Sequence, residues 1–239
     1  MEKPLEMILR EGAGEYGIDL DERMTSAFML YKSLLLEWNE KINLTAIEED
    51  RDVIIKHFVD SLSIVPFLKG IHNIVDVGTG AGFPGIPLKI ALPSPEVVLL
   101  DSLDKRVGFL NTVISALRLQ GISAVHSRAE DAGGSPKYRE KFDAAVARAV
   151  ASLPVLLEYC LPMVRTGGIF IAMKGGSSSE EIAASGRALD LLGAKIEEVR
   201  EFTLPHSEMK RNIIIIKKLR QTPTKYPRKA GKPSKEPLV

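Results

Sequence analysis

The sequence predicts an α/β fold built on an open, mostly parallel, doubly wound sheet, and three observations carry that prediction. Ile74-Val75-Asp76-Val77 runs straight into Gly78, Gly80 and Gly82. This reads as a buried strand followed by a turn whose backbone must come close to a ligand, where glycine takes positive φ and carries no Cβ. A helix is expected next, since Pro84 and Pro87 suit a first turn and Ile86, Leu88, Ile90 and Ala91 continue apolar. A second apolar run, Val97-Val98-Leu99-Leu100, ends in Asp101 about 20 residues beyond the glycines. Strand, glycine turn and helix N-terminus together describe the nucleotide-binding corner of such a sheet.

The other elements follow in order. Met24, Phe28, Tyr31, Leu35 and Trp38 recur at intervals of four and three after Asp21, a candidate N-cap. That is an amphipathic helix, with Trp38 on its apolar stripe and expected in the core. A helix over 51–68 carries Ile54, Phe58, Leu62 and Val65 on one face, and both helices are expected to pack on the sheet. His57 and Asp60 lie three apart and share a side, either as a structural contact or as part of a site. A helix opens at Asp104 and is expected to reach Gln120, with Gly121 as its stop. A third strand, Ser123–His126, leads to Arg128-Ala129-Glu130-Asp131. The fourth, Phe142–Ala147, ends in Arg148, and an apolar helix follows with Cys160 as a core residue. A fifth strand, Ile169–Met173, ends in Lys174. Ser178 and Glu181 read as a capping box for a helix to Leu192, stopped at Gly193. Two last strands fall near 195–203 and 211–218. The expected organisation is a helical extension over 1–68, the sheet domain over 69–219 and a basic arm over 220–239.

Which nucleotide does the turn serve? A P-loop fails, because Gly80 to Gly85 is followed by Ile86 and Pro87 instead of Lys-Ser/Thr. A dinucleotide fingerprint can be laid on Gly80, Gly82 and Gly85, in a poor register that starts too late after the strand. Asp-x-Gly-x-Gly-x-Gly at Asp76, Gly78, Gly80 and Gly82 fits better, and resembles motif I of S-adenosylmethionine-dependent methyltransferases. An acid at the strand end suits that ligand's cationic amino group, directly or through water. Asp101 can accept from both ribose hydroxyls. A carboxylate in the third loop, Glu130, can reach an adenine amino group.

The resemblance then becomes specific. Asp-Val-Gly-Thr-Gly-Ala-Gly-Phe-Pro-Gly-Ile-Pro-Leu at 76–88 is similar to the signature of bacterial ribosomal small-subunit methyltransferase G, also called the glucose-inhibited division protein B family. Trp38–Thr45, His57–Leu62, Arg128-Ala129-Glu130, Ala147-Arg148-Ala149-Val150 and Tyr226–Gly231 match in family order, from about residue 20 to the end. The resemblance implies a Rossmann-like class I methyltransferase with a seven-stranded, mostly parallel sheet and an N-terminal helical extension. It also implies methyl transfer from S-adenosylmethionine to guanine N7 in the 530 loop of 16S rRNA, position 527 in the family. The cofactor site would be lined by Gly78, Phe83, the strand end Asp101-Ser102-Leu103, Ala129-Glu130 and Arg148.

The residues agree with that chemistry. Methylation of cytosine C5 needs a covalent cysteine and usually a second to resolve it, and this chain has one. Exocyclic amino groups usually call for an Asn/Asp-Pro-Pro-aromatic clamp after the fourth strand, where Arg148-Ala149-Val150 stands. Guanine N7 has an exposed lone pair and no proton, so alignment and water exclusion matter more than a base. Arg148, at a strand's carboxyl end, is the candidate catalytic residue, able to grip the methionine carboxylate, a phosphate or guanine O6. Lys174 is a candidate RNA contact. Four scattered histidines and one cysteine give no metal cluster, and no metal is expected. Two other readings remain open: a nicotinamide-dependent oxidoreductase on the alternative glycine register, and an RNA-binding protein that keeps the fold without the activity.

Composition frames this. The 239 residues are 45% hydrophobic, enough for one α/β core with a helical appendage. Early acids precede any hydrophobic stretch and no run of 18 apolar residues occurs to cross a bilayer, so the expected compartment is the cytoplasm. The net charge is +1, yet residues 217–239 hold eight Lys/Arg against Glu236 alone. That asymmetry predicts an extended arm, with Arg228 and Lys229, that seeks RNA phosphate on the small ribosomal subunit or its assembly intermediate. No extra apolar repeat suggests more than a monomer.

Overall fold

The computed structural model describes residues 3–148, 150–176 and 178–239; Ala149, within the arginine motif, lies outside them. Seven strands form one sheet in the order β3-β2-β1-β4-β5-β7-β6. They are β1 (Asn73–Val77), β2 (Glu96–Asp101), β3 (Ile122–His126), β4 (Phe142–Arg148), β5 (Val164–Gly175), β6 (Ala194–Thr203) and β7 (Lys210–Lys218). β1 to β5 run parallel, while β7 pairs antiparallel with both β5 and β6. The order reverses between β1 and β4, which opens the crevice where such sheets bind ligands. This is the expected seven-stranded, mostly parallel sheet with a helical N-terminal region.

The N-terminal helices bury a common core with one sheet face. The helix Glu22–Ile42 is capped by Asp21, whose carboxylate accepts from Met24 N at 2.7 Å. Phe28, Tyr31 and Leu35 are fully buried on its stripe, and Trp38 packs on Phe109 with ring centroids 5.6 Å apart. The following helix is not regular: Asp50–Asp52 and Asp60–Leu62 flank a π-helix over Val53–Val59. Such wide turns concentrate at functional sites, and here the segment presents His57 and Asp60 to the crevice. A second core on the opposite sheet face holds Val75, Ala145, Leu156, Cys160 and Phe170. Cys160 is fully buried there, as expected, and burial pushes its thiol pKa up.

Three local expectations need correction. The helix from Asp104 ends at Ala116, short of Gln120, because Arg118 takes φ of 52° and turns the chain before Gly121 does. The helix expected from Ser178 to Leu192 is broken into Ser179–Ala183 and Gly186–Leu192. Ser178 makes no capping bond; Glu181 instead accepts from Leu153 N at 2.6 Å and pairs with Lys174 Nζ at 2.8 Å, so it serves a neighbouring helix. The basic tail is no extended arm. Thr222, Tyr226, Pro233 and Leu238 are buried, and Tyr226 and Leu238 belong to the second core.

Electrostatics explain the docked tail. Buried Lys218 Nζ donates to Leu161 O and Thr222 Oγ1, both at 2.6 Å, while Thr222 N donates to Glu140. Arg228 forks onto Glu158, with Nη2 to Oε2 at 2.6 Å and Nε to Oε1 at 2.9 Å. Glu158 is 1% exposed, so the pair is a buried, hydrogen-bonded one. The tail's charge meets acids of the body itself. No helix among the described residues is long and apolar enough to cross a membrane.

Candidate active site

The glycine turn joins β1 to the helix Gly85–Ala91. Gly78, Gly80 and Gly82 all have positive φ. A Cβ on Gly78 would stand 2.8 Å from Val150 Cγ2, so the turn needs glycine there for space as well as conformation. Asp76 is fully buried beneath it. Its Oδ2 accepts from Thr79 Oγ1 at 2.6 Å and Gly85 N at 2.8 Å, fixing both ends of the turn. Its Oδ1 is buried without a hydrogen-bond partner. Burial raises the Asp76 pKa to about 7, against the bonds from Thr79 and Gly85 that lower it.

Asp101, at the end of β2, is also turned inward. Oδ2 accepts from Gly80 N and Oδ1 from Leu103 N, both at 2.9 Å. One carboxylate thus ties the glycine turn to the loop after β2, with lone pairs left over. Leu103 itself is exposed and precedes the helix Asp104–Ala116. Glu130 sits at the start of the helix Ala129–Gly134 and accepts from Gly231 N of the tail at 2.8 Å.

Two cavities, each of about 270 Å³, flank the chain that leaves β4. The first is lined by the expected Gly78, Ser102, Ala129 and Glu130. Tyr159, Gly231 and Ser234 complete it, and sequence reasoning missed all three. Tyr159 sits beside Cys160 in a helix read as apolar core. Gly231 and Ser234 sit in the tail read as an RNA arm. Gly231 closes the family-like segment Tyr226–Gly231, but no local signal placed it or the other two beside the glycine turn.

The second cavity lies between the π-helix and the ends of β4, β5 and β7, and holds Lys56, His57, Asp60, Arg148, Lys174 and Arg211. Arg148 faces this cavity and is held through both terminal nitrogens. Nη1 donates to Asp60 Oδ2 and Lys56 O at 3.1 Å each, and Nη2 to His57 Nδ1 at 3.0 Å. Its guanidinium lies over Phe83, with Cζ 4.9 Å from the ring centroid, and the His57 ring stacks on the same phenylalanine at 4.4 Å. Since Nδ1 accepts from Arg148, Nε2 carries the His57 proton and donates to Thr45 Oγ1 at 2.8 Å. Burial and the arginine charge lower the His57 pKa to about 3, so the ring is neutral. Lys174 Nζ also donates to Ala151 O at 2.5 Å. Of the expected RNA contacts, Arg228 is committed to Glu158, and Lys229 stands exposed.

Sheet order, glycine turn and inward strand-end acids define a class I S-adenosylmethionine-dependent methyltransferase fold. The family model described as rRNA small subunit methyltransferase G matches residues 24–214. The chain belongs to that family. It is 60% identical over 239 residues to ribosomal RNA small subunit methyltransferase G of Acetivibrio thermocellus, covering all of this chain and 98% of the relative. It is 53% identical to the protein of the same name from Alkaliphilus oremlandii, over 98% of this chain and 99% of the relative. Among solved structures it is similar to a variant of MtNAS, with a TM-score of 0.54 and 16% identity over 90% of this chain and 86% of that one. It is also similar to TrmN from Thermus thermophilus, with a TM-score of 0.51 and 17% identity over 70% and 53%. At these identities the structural likeness speaks for the fold alone.

Proposed function

We propose that this chain transfers the methyl group of S-adenosylmethionine to N7 of a guanine in the 530 loop of 16S rRNA, position 527 in the family. One observation carries the choice of atom: among the described residues that line the second cavity, none is a free general base. His57 has both ring nitrogens engaged, and both Asp60 oxygens accept from arginines. Guanine N7 needs none, because it attacks with a lone pair and loses no proton. When bound, the cofactor supplies a methyl already activated on a sulfonium. The chain's part is to hold, align and exclude water.

In this reading Gly78, Gly80 and Gly82 bring backbone against the methionine end, and the unpartnered Asp76 Oδ1 accepts from its amino group. Asp101 takes the ribose; Ser102, Leu103, Ala129 and Glu130 form the adenine side. Phe83 and Arg148 form the wall shared with the second cavity, where the guanine enters, and Arg148 with Lys174 faces the RNA. The enzyme acts in the cytoplasm as a monomer, on the small subunit or its assembly intermediate. The test is incubation with methyl-labelled S-adenosylmethionine and small subunits that lack the modification, followed by borohydride–aniline cleavage at 7-methylguanosine. A single cut in the 530 loop is expected. Label elsewhere overturns the address, and no label despite cofactor binding overturns the activity.

A further inference from the structure

The second cavity has a charge that its own residues do not balance. Lys56 pairs with Asp52 and Lys174 with Glu181, each cation with its own acid. Arg148 and Arg211 share a single one, Asp60, at 3.1 Å and 3.0 Å. His57 is neutral and contributes nothing. Among the residues that line the cavity one positive charge is therefore left over, in a triad whose side chains are only 6–15% exposed, and buried Asp76, its pKa raised to about 7, offsets Arg148 only in part. A desolvated excess charge of this kind favours an anion from outside.

The two arginines are not equivalent. Arg148 gives both terminal nitrogens to Asp60, His57 and the Lys56 carbonyl. Arg211 gives Nε to Asp60 and Nη1 to Lys210 O, while Nη2 has only a 3.9 Å contact to Met209 Sδ. Of five guanidinium N–H groups, donors on both terminal nitrogens remain to form a fork. The mouth beside them is open: a Cβ on Gly176 would meet nothing within 4 Å, and one on Gly175 only Arg211 itself.

Position separates this site from the cofactor. In the order β1-β4-β5-β7, Arg211 at the start of β7 stands beside the end of β5, three strand spacings from the glycine turn. At about 4.8 Å per strand, that is about 14 Å. The chain at Val150 and Ala151, pinned by Lys174, stands between the two cavities. We propose that the Arg211 side of the second cavity is an RNA-phosphate site, in which the free fork of Arg211 binds the backbone next to the methyl-accepting guanine. This rests on the methyltransferase reading above. Arg211 is then a substrate-positioning residue, and Asp60 holds the two arginines apart and in register.

The experiment compares wild type with Arg211→Gln and Arg211→Lys on unmethylated small subunits. It measures kcat and KM for the subunit, the salt dependence of RNA binding, and calorimetric affinity for S-adenosylmethionine. Arg211→Gln should raise KM about 10- to 100-fold. Its log–log salt slope should shrink by about 0.7–0.9, the share of one phosphate contact. Cofactor affinity should stay at the wild-type value. Arg211→Lys should keep the slope and recover part of the KM, which a packing role alone would not produce. If Arg211→Gln does not fold, Arg211→Lys decides: a several-fold higher KM supports the site and a wild-type KM overturns it. Weaker cofactor binding with unchanged RNA binding also overturns it, because the cavity then takes the methionine carboxylate. If wild type itself methylates nothing, the activity reading has failed, while the salt slopes still judge the phosphate site.

Discussion

Arg228→Ala should weaken cofactor binding, although residue 228 touches no part of the first cavity. The arginine makes three side-chain bonds to Glu158, at 2.6, 2.9 and 3.1 Å, and a fourth to Glu236 O. Glu158 is 1% exposed, so without the guanidinium its carboxylate keeps only the Arg228 N–H. Breaking one partner of a buried pair costs about 3–5 kcal/mol. The tail can escape most of that by lifting off and letting water reach Glu158. A loss of about 3 kcal/mol shifts the docked–undocked balance roughly 150-fold. Lifting removes Gly231 and Ser234 from the cavity wall and the Gly231 N–H from Glu130. A cofactor that needs the docked wall then loses affinity in proportion to the fraction of chains with the tail lifted, by up to about 150-fold. Titration calorimetry with S-adenosylmethionine reads this directly, and limited proteolysis reports whether the tail has lifted. A tail that becomes cleavable while cofactor affinity stays at wild type would refute the reasoning. The same logic reverses the expectation for a free arm, in which removing residues 220–239 would spare the cofactor.

Two further outcomes follow from the site. Gly78→Ala must place a Cβ at positive φ and 2.8 Å from Val150; a stability loss of about 1–3 kcal/mol by denaturant titration is expected, with cofactor affinity reduced. His57→Gln should change the acid limb of stability. The folded imidazole has its pKa lowered from 6.5 to about 3, so its contribution is complete above pH 6.5 and is lost as pH falls towards 3. Asp76, raised to about 7, works oppositely and gains stability as pH falls, which masks the histidine in wild type. Between pH 6.5 and 5 the variant should gain about 1.6 kcal/mol on wild type; parallel pH profiles would contradict a neutral buried His57.

What the sequence by itself determined is the machinery local to one strand end. Positive-φ glycines, an acid closing β1 and another closing β2 are written in consecutive residues, because a turn's chemistry depends on its own backbone. The succession of strands and helices along the chain followed from the alternation of apolar runs, while the order of the strands in the sheet came only with the structure. The partners of those acids were not legible: Asp101 holds Gly80 and Leu103, and Asp76 holds Thr79 and Gly85. Nor was the tail, whose eight cations look alike until Glu140 and Glu158 are brought beside two of them. Arg211 carried no signal at all, since it meets Asp60 only across 151 residues of chain. Charge composition is a property of the sequence, but which charge is left over is decided by packing. A buried acid compensates the nearest cation in space, and only the folded chain fixes which cation that is.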